Sequence, residues 1–349
     1  MNKVYLIRQN KTFFGGAERY LTRLKENLDQ KGLPNVVLSS NFPKILPGWL
    51  KVIMFNIKVC LFRKEGVYFS LDRIICPDIY RAGDGVHKHF LRIEKKSLLN
   101  PLHPIYLFLE KKCFRNAKKI IANSDMIKQQ IIHYYKIDAK KIDVLYNGIS
   151  FPKYDIAESF KKISIEFPQI INKKIFLFIG SGYERKGVVE FLDILKKIKN
   201  QNYIAIVIGK EKKIDFYKKI SVKYNLSERV IFLGPRFDVE DFYAIGDFYI
   251  LPTKYEPFSN TILEAMYFRN IVFTTSDNGA SEILSSDFVF DRNNLEKVSR
   301  KIDSLFDQPK QMENIKQKNF ERSQMFSIET NSNLIIKLVE EIASPDSLN

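Results

Sequence analysis

Short apolar runs along the chain alternate with longer segments in which apolar residues recur about every three or four positions. Continuous apolar runs are typical of strands buried on both faces of a parallel sheet, and the longer period is typical of helices that cover it. The alternation therefore predicts an α/β fold with parallel sheets. The predicted strands of the first half are Val4–Arg8, Val36–Ser39, Val67–Ser70, Ile79–Ala82, Lys119–Ala122 and Ile142–Leu145. The predicted strands of the second half are Ile175–Ile179, Ile204–Ile208, Val230–Leu233, Phe248–Leu251, Ile271–Thr274 and Phe288–Val289.

A polar stretch with Pro152 and Pro168 separates two halves that share this alternation. Such a composition is typical of a linker, so we expect one α/β domain over residues 1–152 and a second over residues 153–325. A last segment, 326–349, contains a predicted amphipathic helix from Glu329 to Ile342. Its composition does not indicate which domain it packs on.

The chain has 349 residues and a formal net charge of +16. A balance this basic indicates anionic partners, which include nucleic acid, an anionic membrane surface and anionic substrates. The three cysteines, Cys60, Cys76 and Cys113, form no C-x-x-C motif. We therefore expect free thiols and a cytosolic compartment.

The apolar runs give no strong membrane-spanning signal. The first run, Val4–Ile7, is too short for the apolar core of a signal peptide. The most apolar longer stretch, Trp49–Phe62, contains Lys51 and Lys58 and is too short to cross a bilayer. We therefore expect no integral membrane protein. A basic, aromatic stretch at 104–119 is typical either of a helix that binds a membrane surface or of an amphipathic core helix with a solvated face.

Two glycine-rich turns lie between a predicted strand and a predicted helix. Gly15 and Gly16 form the first turn, which lacks the G-x-G-x-x-G spacing of a dinucleotide site and is also compatible with an ordinary tight turn. The second turn begins at Gly180 and continues into Arg185 and Lys186. Two cations beside a glycine loop and a helix N-terminus suit a diphosphate. The alternative is a solvated basic turn.

Two glutamates, Glu256 and Glu264, stand eight residues apart. A Pro-Phe-Ser-Asn turn lies between them, after an apolar run and before a predicted helix that includes Thr261. The helix N-terminus offers free N–H groups to a phosphate, and a carboxylate beside it can bind sugar hydroxyls. The combination predicts a nucleotide-sugar pocket, whereas each glutamate alone would be an ordinary surface acid.

A fourth polar loop, after the predicted strand Ile79–Ala82, carries Asp84 and His87. These side chains could contact sugar hydroxyls, or the loop could be a plain Gly-Asp-Gly turn. Together with His89 they could ligate a metal, but no zinc spacing occurs among the histidines, so we expect no metal site and no cofactor.

Taken together, these residues resemble the retaining glycosyltransferases of the GT-B fold that carry an E-x7-E motif, the group 1 family. The resemblance covers most of the chain and is strongest in the second half. The matching segments are Phe14–Arg19, Asn123–Ser124, Tyr146–Ile149, Gly180–Gly187, Gly209, Phe232–Gly234, Asp247 and Glu256–Glu264. The loops at Gly180–Val188 and Ala82–Asp84 are also similar to those of lipopolysaccharide core glucosyltransferases.

The resemblance implies two Rossmann-like domains that face each other across a cleft, with the last helix crossing back to the N-terminal domain. Glu264 would bind the ribose, Glu256 the donor sugar, and Arg185 with Lys186 the diphosphate. The nucleotide sugar would also contact Gly15, Gly16, Gly180, Gly209, Lys210, Arg236, Phe258, Ser259, Asn260 and Thr261, whereas Asp84 and His87 would approach sugar or acceptor. The family usually has glycine at the position of Ser259, where a side chain narrows the space for the sugar.

The implied activity is metal-independent, retaining transfer of a hexose, glucose or galactose, from a UDP-sugar to a lipopolysaccharide-type, lipid-linked oligosaccharide acceptor. The positive charge would then serve an anionic membrane at the cytoplasmic inner face, and no nucleic acid would be involved. Transfer to another surface polysaccharide or glycolipid is an alternative. From the charge alone a nucleic-acid-binding protein is another, although no such motif occurs, and a nucleotide-sugar epimerase is a third.

Overall fold

The computed structural model describes residues 3–9, 16–40, 42–43 and 45–343, with residues 16–19 described as backbone. The chain divides into two compact units. The first comprises residues 1–148 together with 328–349, and the second comprises residues 149–327. Each unit is built on its own six-stranded sheet.

The sheet of the first unit is parallel throughout, with the strand order β2-β1-β3-β4-β5-β6. Its strands are β1 (Val4–Ile7), β2 (Asn35–Leu38), β3 (Val67–Ser70), β4 (Ile79–Arg81), β5 (Lys119–Ala122) and β6 (Ile142–Val144). The helices that follow these strands are α1 (Gly16–Gln30), α2 (Gly48–Leu61), α3 (His87–Ile93), α4 (Leu102–Asn116) and α5 (Asp125–Tyr135). Because the strand order reverses direction between β1 and β3, the carboxyl ends of these two strands flank a topological switch point.

The sheet of the second unit is also parallel, with the order β12-β11-β10-β7-β8-β9. Its strands are β7 (Lys174–Ile179), β8 (Tyr203–Ile208), β9 (Val230–Gly234), β10 (Phe248–Leu251), β11 (Ile271–Thr275) and β12 (Val289–Phe290). Its helices are α6 (Ile156–Glu166), α7 (Tyr183–Lys186), α8 (Val188–Lys197), α9 (Ile214–Lys223), α10 (Val239–Ile245), α11 (Asn260–Tyr267), α12 (Leu295–Phe306) and α13 (Pro309–Ser323). The switch point of this sheet lies between β7 and β10.

The last helix, α14 (Ile328–Ala343), packs on the first unit although it follows the second in the chain. Its buried Ile335, Ile336 and Val339 belong to the same apolar core as Leu6 of β1 and Leu24 of α1. The helix thereby completes one face of the first sheet, and α2 covers the other face through Phe55 and Val59. Burial of such side chains is the main stabilising contribution to the packing.

The predicted α/β class with two parallel sheets is confirmed, and each predicted strand overlaps an observed one. Continuous apolar runs made this possible, because strands such as β8 and β10 are buried along their whole length. Helix α2 covers most of Trp49–Phe62, the apolar stretch that we expect to be too short to cross a bilayer. Within the described ranges, the structure contains no helix that is both long and apolar enough to cross a membrane.

The prediction of three free thiols is wrong for two of the cysteines. Cys60, near the end of α2, and Cys76, in the loop after β3, form a disulfide with a Cα–Cα distance of 5.7 Å. Their separation of 16 residues in sequence carried no sign of this proximity, which arises because α2 packs beside that loop. Cys113 is free and buried in α4. The cysteine argument for a reducing compartment therefore loses its basis.

Candidate functional site

The carboxyl ends of β7, β8 and β10 bring together the glycine loop and the Glu256 loop of the second unit. These three strands are neighbours in the sheet, and the β7–β10 pair is its switch point. Ligands of open α/β sheets bind outside such a point, where loops on either side diverge and leave a crevice. The strand order alone therefore predicts where the candidate site lies.

Two glycines allow these loops to approach closely. Gly187 has a φ of +85°, and a Cβ there would lie 2.0 Å from the carbonyl oxygen of Pro252. Gly209 has a φ of +146°, and a Cβ there would lie 2.1 Å from the carbonyl oxygen of Gly180. A side chain at either position would strain the backbone and separate neighbouring loops. The glycines thus hold the loop after β7 against those after β8 and β10.

Glu256 meets both predicted phosphate-binding cations. Its Oε2 lies 2.6 Å from Nζ of Lys186 and also accepts a hydrogen bond from Nη1 of Arg185. The guanidinium of Arg185 donates a second bond, of 3.0 Å, to the carbonyl oxygen of Tyr255. These contacts join the glycine loop to the Glu256 loop, so the structure brings the three residues into one charged cluster.

The cluster changes the protonation properties of its members. Burial acts to raise the pKa of Glu256, but Lys186 and Arg185 outweigh it and hold that pKa below its usual range. Burial lowers the pKa of the Lys186 ammonium, an effect to which Arg185 adds and which Glu256 opposes. Glu256 is therefore ionised near neutral pH and only weakly basic, so it is a poor general base but a good acceptor of sugar hydroxyl hydrogen bonds.

Glu264 lies in the second turn of α11, and its Oε2 accepts a 3.1 Å hydrogen bond from the hydroxyl of Tyr243. Thus the two glutamates have different surroundings, because Glu256 is paired with cations and Glu264 is bonded to a neutral phenol. A carboxylate that accepts from hydroxyl groups is suited to a vicinal diol as well.

Ser259 is the N-cap residue of α11 and is buried. Its backbone N–H donates to Oδ1 of Asn278 at 3.2 Å, and its Oγ lies 2.8 Å from Oγ1 of Thr261. The hydroxyl of Tyr249 lies 2.6 Å from the same Thr261 oxygen. The hydroxymethyl group is therefore held within the helix N-terminus. Phe258 beside it is buried, and Asn260 opens the helix.

The remaining predicted residues of this unit occupy the same edge but differ in their surroundings. Gly209 follows β8, and the exposed Lys210 after it donates its backbone N–H to Oγ of Ser181 at 3.0 Å. Arg236, after β9, is held by two carboxylates: its Nη atoms lie 2.8 Å from both Glu166 oxygens, and Asp238 binds it as well. These acids raise the pKa of Arg236 further. The guanidinium is thus occupied by partners within the unit.

In the first unit, Asp84 and His87 belong to a polar cluster at the carboxyl edge of the sheet. The half-exposed Asp84 lies 3.8 Å from Nη1 of Arg8, and that guanidinium binds Asp72 at 2.9 Å across the β1–β3 switch point. Nε2 of His87 lies 3.2 Å from Nδ1 of His103. Burial, with Arg73 next in effect, lowers the pKa of His87 to about 4, so its imidazole is neutral at physiological pH.

Sequence reasoning missed the buried pair that organises this cluster. Oε1 of Glu110, in α4, accepts from Nε of Arg73 at 2.9 Å and from the backbone N–H of His87 at 2.7 Å. Glu110 is fully buried. A charged residue in an otherwise apolar face of a predicted helix was the available signal, because a buried carboxylate requires a partner. Its partner, 37 residues away, could not be read from local spacing.

Gly15 lies outside the described residues, and Gly16 is the first residue of α1. The structure therefore gives no account of the first glycine turn. Among the residues that it does describe, no group of three or more His, Cys, Asp and Glu side chains is arranged to hold a metal ion.

Family comparisons agree with this architecture. Residues 160–322 match the model of glycosyl transferases group 1, and residues 81–151 match that of glycosyltransferase family 4. WaaG, described as a glycosyltransferase involved in lipopolysaccharide biosynthesis, has a solved structure with a TM-score of 0.80 to this chain at 18% identity, covering 98% of this chain and 100% of that one. Anabaena HepE, solved in complex with UDP and glucose, has a TM-score of 0.74 at 19% identity, covering 98% and 100%. These likenesses show a GT-B fold, and the match to the group 1 model covers slightly less than half of the chain.

Curated relatives point in the same direction. An uncharacterised glycosyltransferase of Methanocaldococcus jannaschii is 27% identical over 173 residues, which span 48% of this chain and 44% of that protein. The lipopolysaccharide core biosynthesis glycosyltransferase LpsE of Rhizobium meliloti is 25% identical over 288 residues, which span 76% and 77%. The chain is thus similar in sequence to glycosyltransferases, one of them named for lipopolysaccharide core biosynthesis, and it spans less than half the length of the Methanocaldococcus protein.

Proposed function

We propose that this enzyme transfers a hexose, glucose or galactose, from a UDP-sugar to a lipid-linked oligosaccharide of the lipopolysaccharide core type, with retention of anomeric configuration and without a metal ion. The observation that carries the proposal is the Glu256 carboxylate held against Arg185 and Lys186 at the switch point of the second sheet. The names of LpsE and WaaG support the acceptor class, and the UDP and glucose bound to HepE support the donor.

In this proposal the two cations neutralise the diphosphate, while Glu256 accepts hydrogen bonds from the donor sugar. Glu264 binds the ribose, and the backbone N–H groups of residues 258–260 approach sugar and phosphate. When the bond from the anomeric carbon to the diphosphate breaks, negative charge grows on the leaving oxygen. Arg185 and Lys186 stabilise that charge because they are fixed before the reaction begins.

Retention then follows from attack on the face that the diphosphate leaves. The acceptor hydroxyl forms the new bond to the anomeric carbon, and its proton passes to the departing diphosphate oxygen. No protein base is required for this step, which agrees with the lowered pKa and weak basicity of Glu256. A double displacement would instead need two carboxyl groups about 5 Å apart on either side of the bond.

The acceptor is proposed to reach the site from an anionic membrane surface at the cytoplasmic face. The first unit supports this part, because it contains an excess of lysine and arginine over acids together with exposed apolar side chains on α2 and α4. A lipid-linked acceptor would stay in the bilayer while its sugar is extended.

The test is a donor screen with purified enzyme and a core-type lipooligosaccharide acceptor. UDP-glucose and UDP-galactose should release UDP and add one hexose to the acceptor, as read by mass spectrometry, with equal rates in the presence of EDTA. Proton NMR of the product should show the anomeric configuration of the donor. Absence of turnover with every nucleotide sugar, loss of activity in EDTA, or an inverted product would each contradict the corresponding part of the proposal.

A further inference from the structure

An apolar groove runs between α2 and α4. It encloses about 780 Å³, which lies in the range of pockets that bind small organic molecules. Its walls are formed by Ile53, Ile57 and Leu61 on α2 and by Ile105, Phe108 and Leu109 on α4. No step of the proposed transfer uses this groove.

The groove offers an occupant almost no polar group. One polar side chain, Asn56, lines it, and its Nδ2 donates to the carbonyl oxygens of Val52 and Arg73 at 3.1 and 3.2 Å. Its Oδ1 accepts the backbone N–H of Ile75 at 3.0 Å. Since the amide is used in fixing the wall, an occupant would meet mostly hydrocarbon.

Three wall residues are unusually exposed for apolar side chains. Ile57 is 55% and Phe108 is 54% exposed, and Leu61 at the end of α2 is 72% exposed. The disulfide between Cys60 and Cys76 joins α2 to the loop that carries Ile75, another wall residue. The groove is thus preformed, so filling it would require little ordering of the protein.

The two segments that contain the groove helices are rich in positive charge. Residues 48–65 and 87–119, which include α2 and α4, contain thirteen Lys or Arg and three Glu, a net charge of +10 out of +16 for the chain. Glu110 is one of those three acids and is already buried against Arg73. At the rim, Nζ of Lys112 lies 6.0 Å from the ring of Phe108, and the exposed Lys58 follows Ile57. An apolar slot rimmed by cations is complementary to a hydrocarbon chain with an anionic head.

We propose that the α2–α4 groove takes up one acyl chain of an anionic membrane phospholipid, with Lys58 and Lys112 near the lipid phosphate. The α2 side from Ile53 to Leu61 is about 12 Å of helix, close to the roughly 15 Å of hydrocarbon in one leaflet. The proposal extends the membrane part of the proposed function but does not depend on sugar transfer. It makes the groove a lipid-binding site as well as part of a charged surface.

The chain supplies its own reporter for the test. Trp49 is its one tryptophan and lies in the first turn of α2, four residues before Ile53 and therefore on the same side of the helix. Full-length enzyme is mixed with phosphatidylcholine vesicles that contain phosphatidylglycerol brominated along its acyl chains. Trp49 fluorescence should be quenched. Dihexanoyl phosphatidylglycerol below its micelle concentration should bind with saturation at one molecule per chain in calorimetry.

Matched variants separate the groove from general surface attraction. Ile57→Asn with Phe108→Ser should weaken binding of the short-chain lipid at least about tenfold. Ile165→Asn with Val222→Ser, two similarly exposed apolar residues of the second unit, should leave it unchanged. Lys58→Gln with Lys112→Gln should weaken binding of phosphatidylglycerol more than binding of phosphatidylcholine. Circular dichroism melting curves check that each variant folds.

Several outcomes would overturn the proposal. The first is that Trp49 is not quenched although the protein sediments with the vesicles. The second is that the groove and control variants bind the short-chain lipid with equal affinity. The third is that a dimer fills the groove and persists in the presence of lipid. Sugar transfer to a soluble acceptor analogue is measured on the same samples. Transfer without lipid binding would refute the groove alone, and lipid binding without transfer would refute the proposed function alone.

Discussion

The two units carry the same number of cations but differ in acids. Each contains 28 Lys or Arg, whereas the first contains 16 Asp or Glu and the second 24. The net charges are therefore +12 and +4. Three quarters of the net charge of the chain thus lie in the first unit, because that unit has fewer acids.

The cations of the two units also differ in their surroundings. In the second unit Arg185, Lys186 and Arg236 are each paired with carboxylates near the sheet edge, so their charge is local and fixed in direction. In the first unit exposed lysines of α4, such as Lys111 and Lys112, lie on a surface with few acids. Paired cations suit a small ligand at a defined position, and an unbalanced surface suits an extended anionic partner.

The strongest way to test the first half of this comparison is Glu256→Gln. The amide keeps the size of the side chain but removes the charge that pairs with both cations and that we propose meets the donor sugar. We expect kcat to fall about 100-fold or more, while UDP binding measured by calorimetry changes only a few-fold. Glu184→Gln, a nearby acid whose side chain is 82% exposed, serves as the control and should transfer sugar normally. Equal kinetics of the two variants would remove Glu256 from the site.

The second half of the comparison is tested with two pairs of adjacent lysines. Lys111→Gln with Lys112→Gln removes two exposed charges from α4, and Lys218→Gln with Lys219→Gln removes two from α9 of the second unit. Vesicle sedimentation with phosphatidylglycerol should weaken about 30-fold for the α4 pair, from about 1 kcal/mol per lysine, and the difference should shrink in high salt. Equal losses for both pairs would mean that total charge, and not its placement, controls binding.

Much of the fold could be predicted because its strands are continuous apolar runs, as β8 and β10 illustrate. The candidate site of the second unit could also be proposed, because glycines and a Pro-Phe turn mark loops at strand ends. The sequence pattern could not predict which residues, far apart along the chain, contact each other in the fold. The ion pair of Lys186 with Glu256 joins residues 70 positions apart, and nothing local in either loop specifies the other.

The first unit was harder to predict for the same reason. The buried pair of Arg73 and Glu110, and the disulfide of Cys60 with Cys76, both depend on how helices pack over the loop after β3. Periodicity places a residue on a helix face but does not identify the residue that it meets. The apolar stretch of α2 predicts a buried or membrane-associated segment, but it does not show that α2 packs beside α4. The groove between the two helices could therefore not be predicted.

A smaller effect tests whether the two glutamates differ in role. Glu264→Ala should weaken UDP binding by about 1.5 kcal/mol, slightly more than tenfold, with kcat at saturating donor reduced much less. Tyr243→Phe removes the phenol that donates to Glu264 and leaves the carboxylate in place. It should cost less affinity than loss of the carboxylate itself. If both variants lose the same affinity, Glu264 acts through Tyr243 and does not contact the ribose.

The smallest effect concerns His87 and returns to the first unit. Its folded pKa is about 4, below the ordinary value of 6.5. Between these values the unfolded state binds more protons, so stability should fall as the pH is lowered from 7 to 5, by about 1 kcal/mol after allowance for partial exposure. His87→Gln should therefore lose about 1 kcal/mol less unfolding free energy than the unmodified protein between pH 7 and pH 5, as measured by urea unfolding. Proton NMR of the His87 ring should give a midpoint near 4. A midpoint near 6.5 would contradict the lowered pKa, because the imidazole would then titrate as an ordinary histidine and burial would contribute no acid sensitivity at this position.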